Sequence, residues 1–358
     1  MVGPVDIQIP SEKLVEIKDL LTLYGVHFEV MIDDLQRAID EQVTPRSPQL
    51  SLAEFDYNKY HTFVEIDKWI YDYSTANSEY LTKMKVGMTY QNTSIHGIKI
   101  SSGSGKPAFA IDCGIHADEW IGPATCIHVI KNLTENIGKS NRIGKLVDAV
   151  DFYFIPSSNP DGYEFTWTNN RMWRKTRSPS SAKCVGVDPN RNWDVLLTGA
   201  GASKDPCSDD YYGPKVWSEA NVRSQRDFVN AIPNLHAYID VHSYSQLWMF
   251  PYAWTFDLAA DYHLLSSIAN KSVAAIKAVH GKVYTPGPIS KTIYIASGST
   301  ADYFYDHHPL KCVFAAELRD TGKHGMLLPE SEIQPTAEET FAGLMVIAEH
   351  VMDGSCSK

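Results

Sequence analysis

The sequence lacks the long apolar runs and basic blocks that mark proteins bound to membranes or nucleic acids. None of its 358 residues falls in an apolar run approaching the ~18–20 residues that a membrane helix needs. The formal net charge is −11 and no block or stripe of lysine and arginine stands out, so nucleic acid and anionic membranes are poor partners. The start, Met1 to Asp6, has neither the basic nor the apolar region of a signal peptide, which taken alone favours a cytosolic protein.

Several common catalytic and redox motifs are absent as well. There is no Gly-x-Ser-x-Gly elbow, which excludes that type of serine hydrolase. The segment Gly103 to Lys106 looks like the end of a phosphate-binding loop, but Pro107 stands where Ser or Thr is required. The six cysteines form no Cys-x-x-Cys pair, so neither a redox motif nor a cysteine metal site is indicated.

The cysteines that are present point away from the cytosol. They include two closely spaced pairs, Cys113 with Cys126 and Cys184 with Cys207, which leaves Cys312 and Cys356. Tripeptides that could accept N-glycans begin at Asn92, Asn132 and Asn270. Together these features favour a secreted protein whose targeting segment lies upstream of this chain.

The first 50 residues read as a small separate unit. Val5–Pro10 and Phe28–Ile32 alternate like strands, and Ser11 could cap a helix that runs to about Leu23. The polar, Pro-containing stretch from Glu41 to Leu52 reads as an exposed linker with one basic residue, Arg46. We therefore predict a boundary that separates residues 1–46 from a larger domain, 47–358.

Beyond the linker, buried strands and helices alternate. Strands are predicted at 108–113, 150–156, 237–241 and 312–316, and helices at 62–73, 122–133, 218–231, 260–279 and 337–352. This order predicts an α/β fold with a mixed, largely parallel central sheet and helices on both faces. Residues 158–216 instead form a long irregular stretch, which inside a compact domain is usually functional.

Three residues at predicted strand ends have the side chains of a zinc site. His116 and Glu119 are three apart after one strand, and His242 follows another. A catalytic zinc uses three such ligands and leaves one position open. Each residue also has an ordinary explanation: a surface histidine, a glutamate stabilised at a helix start, and a hydrogen-bonded histidine at a strand end.

Charged residues near these positions suggest further chemistry. Glu317 directly follows the apolar strand Cys312–Ala316, where an unpaired carboxylate is costly unless it pairs with a neighbour such as Arg319 or Lys323. The irregular stretch holds Arg174 and the pair Asn190 and Arg191. Guanidinium groups bind carboxylates through two parallel hydrogen bonds, although a solvated basic loop would look the same.

Taken together, these motifs resemble the zinc carboxypeptidases of the pancreatic A/B type, from about Tyr60 to His350. The matching segments are GIHADEWIGPA (114–124), NRMWRKTRS (170–178), CVGVDPNRNWD (184–194), HSYSQLWMFPY (242–252), TIYIASGS (292–299) and ELRDTG (317–322). The resemblance implies one Zn²⁺ held by His116, Glu119 and His242, with Glu317 as general base and Arg174 as the stabiliser of the oxyanion. It also implies that Asn190 and Arg191 hold the terminal carboxylate of a peptide while Tyr294 closes over the bound residue.

The resemblance also places the pocket that selects the terminal side chain. Its implied lining is uncharged, which predicts a preference for aromatic or large aliphatic C-terminal residues: Met249, Ala253, Ile289, Ala296, Ala301 and Ala315. Two residues depart from the family pattern. Asp118 stands where relatives usually have Arg, and Asp240 where they often have a small residue. If Asp240 points into the pocket, a basic-specific enzyme of the B or regulatory type is the alternative.

Further expectations follow from the resemblance alone. Residues 1–46 resemble the C-terminal part of an α+β activation prodomain, so cleavage after Arg46 by a trypsin-like protease would release a mature enzyme, expected to be a monomer. Disulfides are implied for Cys184–Cys207 and Cys113–Cys126, with Cys312–Cys356 as a guess. Outside catalysis, the alternatives are an inactive relative that binds peptide tails and a zinc-free peptide-binding scaffold.

Overall fold

Four buried strands form the middle of the central sheet, and their continuous apolar sequences explain this position. In the computed structural model, which describes residues 6–43, 51–197, 199–308 and 310–357, the strand order is β1-β2-β4-β3-β5-β8-β6-β7. The strands are β1 (Leu81–Met88), β2 (Ser94–Ile100), β3 (Ala108–Cys113), β4 (Asp151–Ile155), β5 (Leu235–His242), β6 (Leu247–Phe250), β7 (Thr285–Pro288) and β8 (Cys312–Glu317). The neighbours β4, β3, β5 and β8 are parallel to one another, and β7 is parallel to β6. The pairs β1 with β2, β2 with β4, and β6 with β8 are antiparallel.

The helices cover both faces of this sheet. They are α1 (Leu14–Leu23), α2 (Leu35–Gln42), α3 (Phe63–Ala76), α4 (Ile121–Glu135), α5 (Arg142–Ala149), α6 (Pro160–Thr168), α7 (Ala220–Asn230), α8 (Tyr262–His280), α9 (Ile289–Thr292), α10 (Thr300–Asp306) and α11 (Ile333–Met352). On β5, Tyr238 packs against Phe304 of α10. Val241, on the opposite face because side chains alternate, pairs with Cys113, which is bonded to Cys126 of α4. The expected mixed, largely parallel sheet with helices on both faces is confirmed.

Disulfide bonds join all six cysteines. The pairs are Cys113–Cys126, Cys184–Cys207 and Cys312–Cys356. The third, which the sequence left as a guess, ties β8 to the segment after α11. No helix within the described ranges has both the length and the apolar character needed to cross a bilayer.

The structure of the N-terminal segment differs in part from the sequence prediction. The expected helix is present as a short turn at Ser11–Lys13 followed by α1, and α2 was not anticipated. The strands predicted at 5–10 and 28–32 are wrong: residues 6–10 and 28–32 form neither strand nor ladder. Side chains such as Ile7 and Val30 stay exposed there, because an extended segment becomes a strand only when a neighbour accepts its backbone hydrogen bonds. Arg46 and the core of the predicted linker lie outside the described residues.

The long stretch 158–216 also contains more structure than expected. Helix α6 lies within it, with Asn159 at its N-cap accepting a hydrogen bond from the amide of Gly162, and with Pro160 at its first position. Both are strong helix-start signals. Most of the remainder is loop, which carries Arg174 and the turn Pro189–Arg191 over the ends of the parallel strands.

Candidate metal centre

The carboxyl ends of the parallel strands place the candidate site residues side by side. His242 is the last residue of β5, and it pairs in register with Glu317, the last residue of β8. The neighbouring strand β3 ends at Cys113, and the loop that follows carries His116 and Glu119 before α4 begins. The strand order alone therefore brings four residues from distant parts of the sequence to one edge of the sheet, where ligand sites of open α/β sheets collect.

Three of these side chains converge with their ligand atoms facing one another. His116 Nδ1 lies 2.7 Å from Glu119 Oε1, and His242 Nδ1 lies 3.1 Å from both His116 Nδ1 and Glu119 Oε2. All three side chains are buried, and their ligand atoms lie within 4.8 Å of one another. Two imidazole nitrogens and a carboxylate are the donor set of a catalytic zinc ion.

The outer nitrogens of the two imidazoles show why this cluster fits a cation. His116 Nε2 lies 3.1 Å from Asp188 Oδ1, and His242 Nε2 lies 2.9 Å from Asp240 Oδ2. A carboxylate accepts a hydrogen bond, so with a cation bound each Nε2 would donate to its aspartate and each Nδ1 would present a lone pair to the ion. The donors present therefore fit a dication.

Glu317 lies beside this cluster in an environment that favours its protonated form. Its side chain is only partly exposed, and Oε2 is buried without a hydrogen-bond partner among the described residues. Burial raises the pKa of Glu317 to about 8, opposed by the charge of His242 and reinforced by that of Glu119. The pairing with Arg319 that would have explained Glu317 structurally does not occur, because Arg319 instead binds Glu339 and Glu332. A carboxyl group that exchanges a proton near neutral pH is suited to general base and acid chemistry.

Arg174 provides a fixed positive charge at the same edge. Its Nε and Nη2 donate to Asp188 Oδ2 at 3.2 and 3.0 Å, and its Nη1 lies 3.6 Å from Glu119 Oε1. Burial alone would raise the pKa of Asp188, but Arg174 and then Arg191 hold that pKa well below its usual range. Asp188 thus stays ionised and fixes both an arginine and an imidazole.

The residues implied for carboxylate binding lie next to His242. Asn190 Nδ2 is 3.0 Å from His242 Nε2, and the side chain of Arg191 donates to Gly201 O and Asn190 O at 2.7 and 2.8 Å. The ring centroid of Tyr294 lies 5.8 Å from the Arg191 guanidinium carbon, and this tyrosine is 49% exposed. An exposed tyrosine next to an arginine has the freedom to move over a bound molecule.

The residues implied for the specificity pocket come from adjacent elements. Met249 of β6 pairs in register with Ala315 of β8, and the amide of Ala296 donates to Ala253 O at 2.9 Å. Ile289 begins α9, and Ala301 lies in the first turn of α10. All six residues are buried and none carries a charge.

Comparison with known proteins decides the family. A model described as zinc carboxypeptidase matches residues 66–343, and one described as carboxypeptidase activation peptide matches residues 2–42. This chain belongs to the zinc carboxypeptidase family. Carboxypeptidase A2 of Mus musculus is 40% identical over 353 residues, which cover 98% of this chain and 84% of that protein. Carboxypeptidase A1 of Bos taurus is 40% identical over 357 residues, which cover 98% and 85%.

A solved structure supports the same assignment. Thrombin activatable fibrinolysis inhibitor superposes with a TM-score of 0.91 at 36% identity, covering 96% of this chain and 87% of that one. Membership of the family makes Zn²⁺ the metal of this chain, and the buried cluster His116, Glu119 and His242 has the donors to hold it.

The segment that matches the activation peptide contacts residues near the candidate site. Gln42 of α2 accepts a hydrogen bond from Arg171 Nε at 2.8 Å, and its own amide donates to Leu328 O at 3.0 Å. The hydroxyl of Tyr244 donates to the carboxylate of Asp6. Arg171 and Tyr244 are close in sequence to Arg174 and His242, so the segment contacts the loops that carry these two residues.

The two departures from the family pattern have clear positions. The backbone carbonyl of Asp118 accepts from Arg171 Nη1 at 2.8 Å, and its buried carboxyl has a pKa raised to about 6 by burial and then by Glu119. Asp240 is fully buried against His242. The sequence does not reveal Asp188 and Asp240 as the partners of the two imidazoles. Asp188 stood inside a quoted motif, but no local pattern shows that it reaches His116, 72 residues away in sequence.

Proposed function

We propose that this chain is a zinc-dependent exopeptidase that hydrolyses the C-terminal peptide bond of peptides and proteins, preferring aromatic or large aliphatic terminal residues. The observation that carries the proposal is the buried set of two imidazoles and a carboxylate. Next to it lie Glu317, whose Oε2 has no hydrogen-bond partner among the described residues, and the guanidinium that Asp188 holds in place. When bound, zinc supplies a Lewis acid that polarises a carbonyl oxygen and makes water more acidic.

The remaining steps belong to the side chains of this chain. Glu317, beside the metal ligands and with Oε2 free of hydrogen-bond partners among the described residues, takes a proton from the attacking water and passes it to the leaving amine. Arg174 meets the negative charge that develops on the carbonyl oxygen, and it needs no reorganisation because Asp188 already holds it. Asn190 and Arg191 bind the free carboxylate, which explains why only a chain end is cleaved.

The neutral pocket supports the apolar preference. The six implied lining residues are uncharged, and a lysine or arginine side chain buried there would lack a partner. Asp240, which could have provided one, is engaged by His242 and Thr300. Turnover of matched peptides that end in Phe and in Lys tests this preference, and a tenfold advantage for Lys would make the basic-specific alternative correct.

The function is tested by Glu317→Gln together with zinc analysis after tryptic cleavage of the chain. We expect one zinc per chain and a loss of hydrolysis, because the amide keeps the shape of the side chain but cannot accept the proton. Glu338→Gln, an exposed change elsewhere, serves as the control and should hydrolyse normally. Hydrolysis retained by Glu317→Gln would remove this residue from the mechanism. A wild-type chain with zinc but without hydrolysis would support an inactive peptide-binding relative, and a chain without zinc would support a metal-free scaffold.

We also propose that the protein is a secreted, monomeric zymogen activated by a trypsin-like protease that cleaves after Arg46. The three disulfides support an oxidising compartment. The contacts of Asp6 and Gln42 next to the site support inhibition by the uncut segment. Activity that appears on tryptic cleavage of the wild type, but not of Arg46→Gln, would support this activation. Equal activity of the two proteins after treatment would contradict it.

A further inference from the structure

Asp240 occupies a position that the proposed function does not explain. It lies in β5 two residues before His242, it is 0% exposed, and its neighbour in register on β3 is Asp112. Its Oδ2 lies 2.9 Å from His242 Nε2 and accepts a hydrogen bond from Thr300 Oγ1 at 2.5 Å. A carboxylate buried this completely is costly unless its interactions compensate for the lost water.

Among the described residues, Asp240 Oδ2 is the one acceptor that His242 Nε2 has for its proton. The amide of Thr300 donates to Asn190 Oδ1 at 2.8 Å, so Asn190 presents its Nδ2 to the imidazole at 3.0 Å. An NH₂ group is a donor and cannot accept from Nε2. Asn190 Nδ2 also approaches Asp240 Oδ2 at 3.4 Å, which is consistent with Oδ2 as the shared acceptor.

The tautomer of His242 matters because its other nitrogen faces the metal cluster. Nδ1 lies 3.1 Å from Glu119 Oε2, and it can bind a cation only if the proton resides on Nε2. A carboxylate that accepts from Nε2 holds the proton there, fixes the plane of the ring and increases the basicity of Nδ1. Asp188 has the same relation to His116, but it also binds Arg174, whereas the partners of Asp240 are a hydroxyl, an amide and the imidazole.

We propose that Asp240 is a positioning residue for the zinc ligand His242, oriented by Thr300, and not a counter-ion for a basic substrate side chain. The inference rests on the proposed zinc function and adds a residue that the family pattern does not supply. It also explains why Asp240 is buried without facing the substrate.

The test compares zinc binding by Asp240→Ser and Asp240→Asn with that of the wild type, using competition with a chromophoric chelator. Removing such a partner typically costs about 10- to 100-fold in metal affinity. We expect a loss of this size for Asp240→Ser, because the serine side chain is uncharged and too short to accept the hydrogen bond from His242 Nε2. We expect a smaller loss for Asp240→Asn, whose Oδ1 still accepts from Nε2 without the charge. Asp112→Asn removes a neighbouring buried carboxylate that accepts from Tyr238, and its zinc affinity should stay within about twofold of the wild type.

A spectroscopic measurement separates positioning from general destabilisation. In the zinc-loaded protein labelled with ¹⁵N-histidine, the wild type should show a slowly exchanging, downfield Nε2 proton that Asp240→Ser lacks and Asp112→Asn retains. Unchanged zinc affinity and an unchanged Nε2 proton in both Asp240 variants would overturn the inference. So would intact zinc binding combined with a tenfold fall in the ratio of Lys to Phe turnover, because Asp240 would then serve the pocket. A wild-type chain without zinc would overturn the proposed function and this inference together, whereas a zinc-loaded, active wild type with unaffected variants would overturn the inference alone.

Discussion

Replacing Arg174 by Gln should damage both catalysis and stability, and the two effects can be separated. The guanidinium donates two hydrogen bonds to the buried carboxylate of Asp188, which stabilises the fold. It also lies 3.6 Å from the metal ligand Glu119, which places it at the candidate site. Losing a charge-stabilising donor typically costs about 10²–10³ in kcat, or about 2.7–4 kcal/mol of transition-state stabilisation.

The stability cost follows from the burial of Asp188. Breaking a fully buried ion pair costs about 3–5 kcal/mol, because the remaining charge is left without its partner. Arg174 is 19% exposed while Asp188 is fully buried, and Asp188 keeps hydrogen bonds from Asn190 N and His116 Nε2. Those remaining contacts place the expected loss at about 2–3 kcal/mol in free energy of unfolding.

The double variant Arg174→Gln with Asp188→Asn separates the two effects. It removes the unpaired charge, so urea denaturation should show most of the lost stability regained, while kcat for a peptide ending in Phe stays low. Zinc content is measured in parallel, because Asp188 also contacts His116. Arg177→Gln is the matched control, since that arginine of the same loop stacks on Phe165 and Trp173. A kcat within threefold of wild type for Arg174→Gln, or a double variant that regains activity, would refute the reasoning.

Three further predictions concern the pocket, the pH dependence and a disulfide. Ala301→Asp adds a carboxylate to a neutral, buried position, so the ratio of Lys to Phe turnover should rise at least tenfold; an unchanged ratio would place Ala301 outside the pocket. Burial raises the pKa of Asp302 to about 7 from an ordinary 3.8, so the folded protein favours the protonated carboxyl. The stability that this protonation contributes is fully present below pH 4 and is lost as the pH rises through 7. Urea titrations should therefore show the wild type losing stability between pH 4 and 7 relative to Asp302→Asn, and parallel curves would contradict this. Replacing Cys312 and Cys356 by Ala opens a loop spanning 44 residues, and loop entropy predicts a loss of about 4 kcal/mol in urea denaturation, whereas a loss below about 1 kcal/mol would refute the estimate.

The sequence predicted the buried centre of the fold better than its edges. Strand β3 was predicted with its observed bounds because a strand covered on both faces is a continuous apolar run. Strand β7, Thr285–Pro288, was missed because two prolines argue against any strand, and it forms only because β6 offers an edge to pair with. For the N-terminal segment the prediction was wrong in the opposite sense. Its alternating pattern predicted strands, but these residues have no neighbouring strand to pair with.

In the candidate site too, some residues could be predicted from the sequence and others could not. Motifs predicted His116, Glu119, His242 and Glu317 as a group, and the ends of parallel strands bring them together. The hydrogen-bond partners of the imidazoles were not predicted, because whether Asp240 faces the pocket or the ring depends on the positions of Thr300 and Asn190. Such partners are set by side-chain contacts between distant segments, which no periodicity or spacing records.

The excess of acidic side chains at this edge is itself an argument for the metal. Glu119, Asp188 and Asp240 lie around two imidazoles, and Arg174 neutralises only part of their charge. Burying several carboxylates in one place costs free energy that nearby positive charge has to offset. A dication held by the three ligand atoms would supply the missing positive charge. The strand order therefore does more than gather ligands: it concentrates negative charge that a zinc ion would stabilise, and it places the carboxyl group of Glu317 beside them.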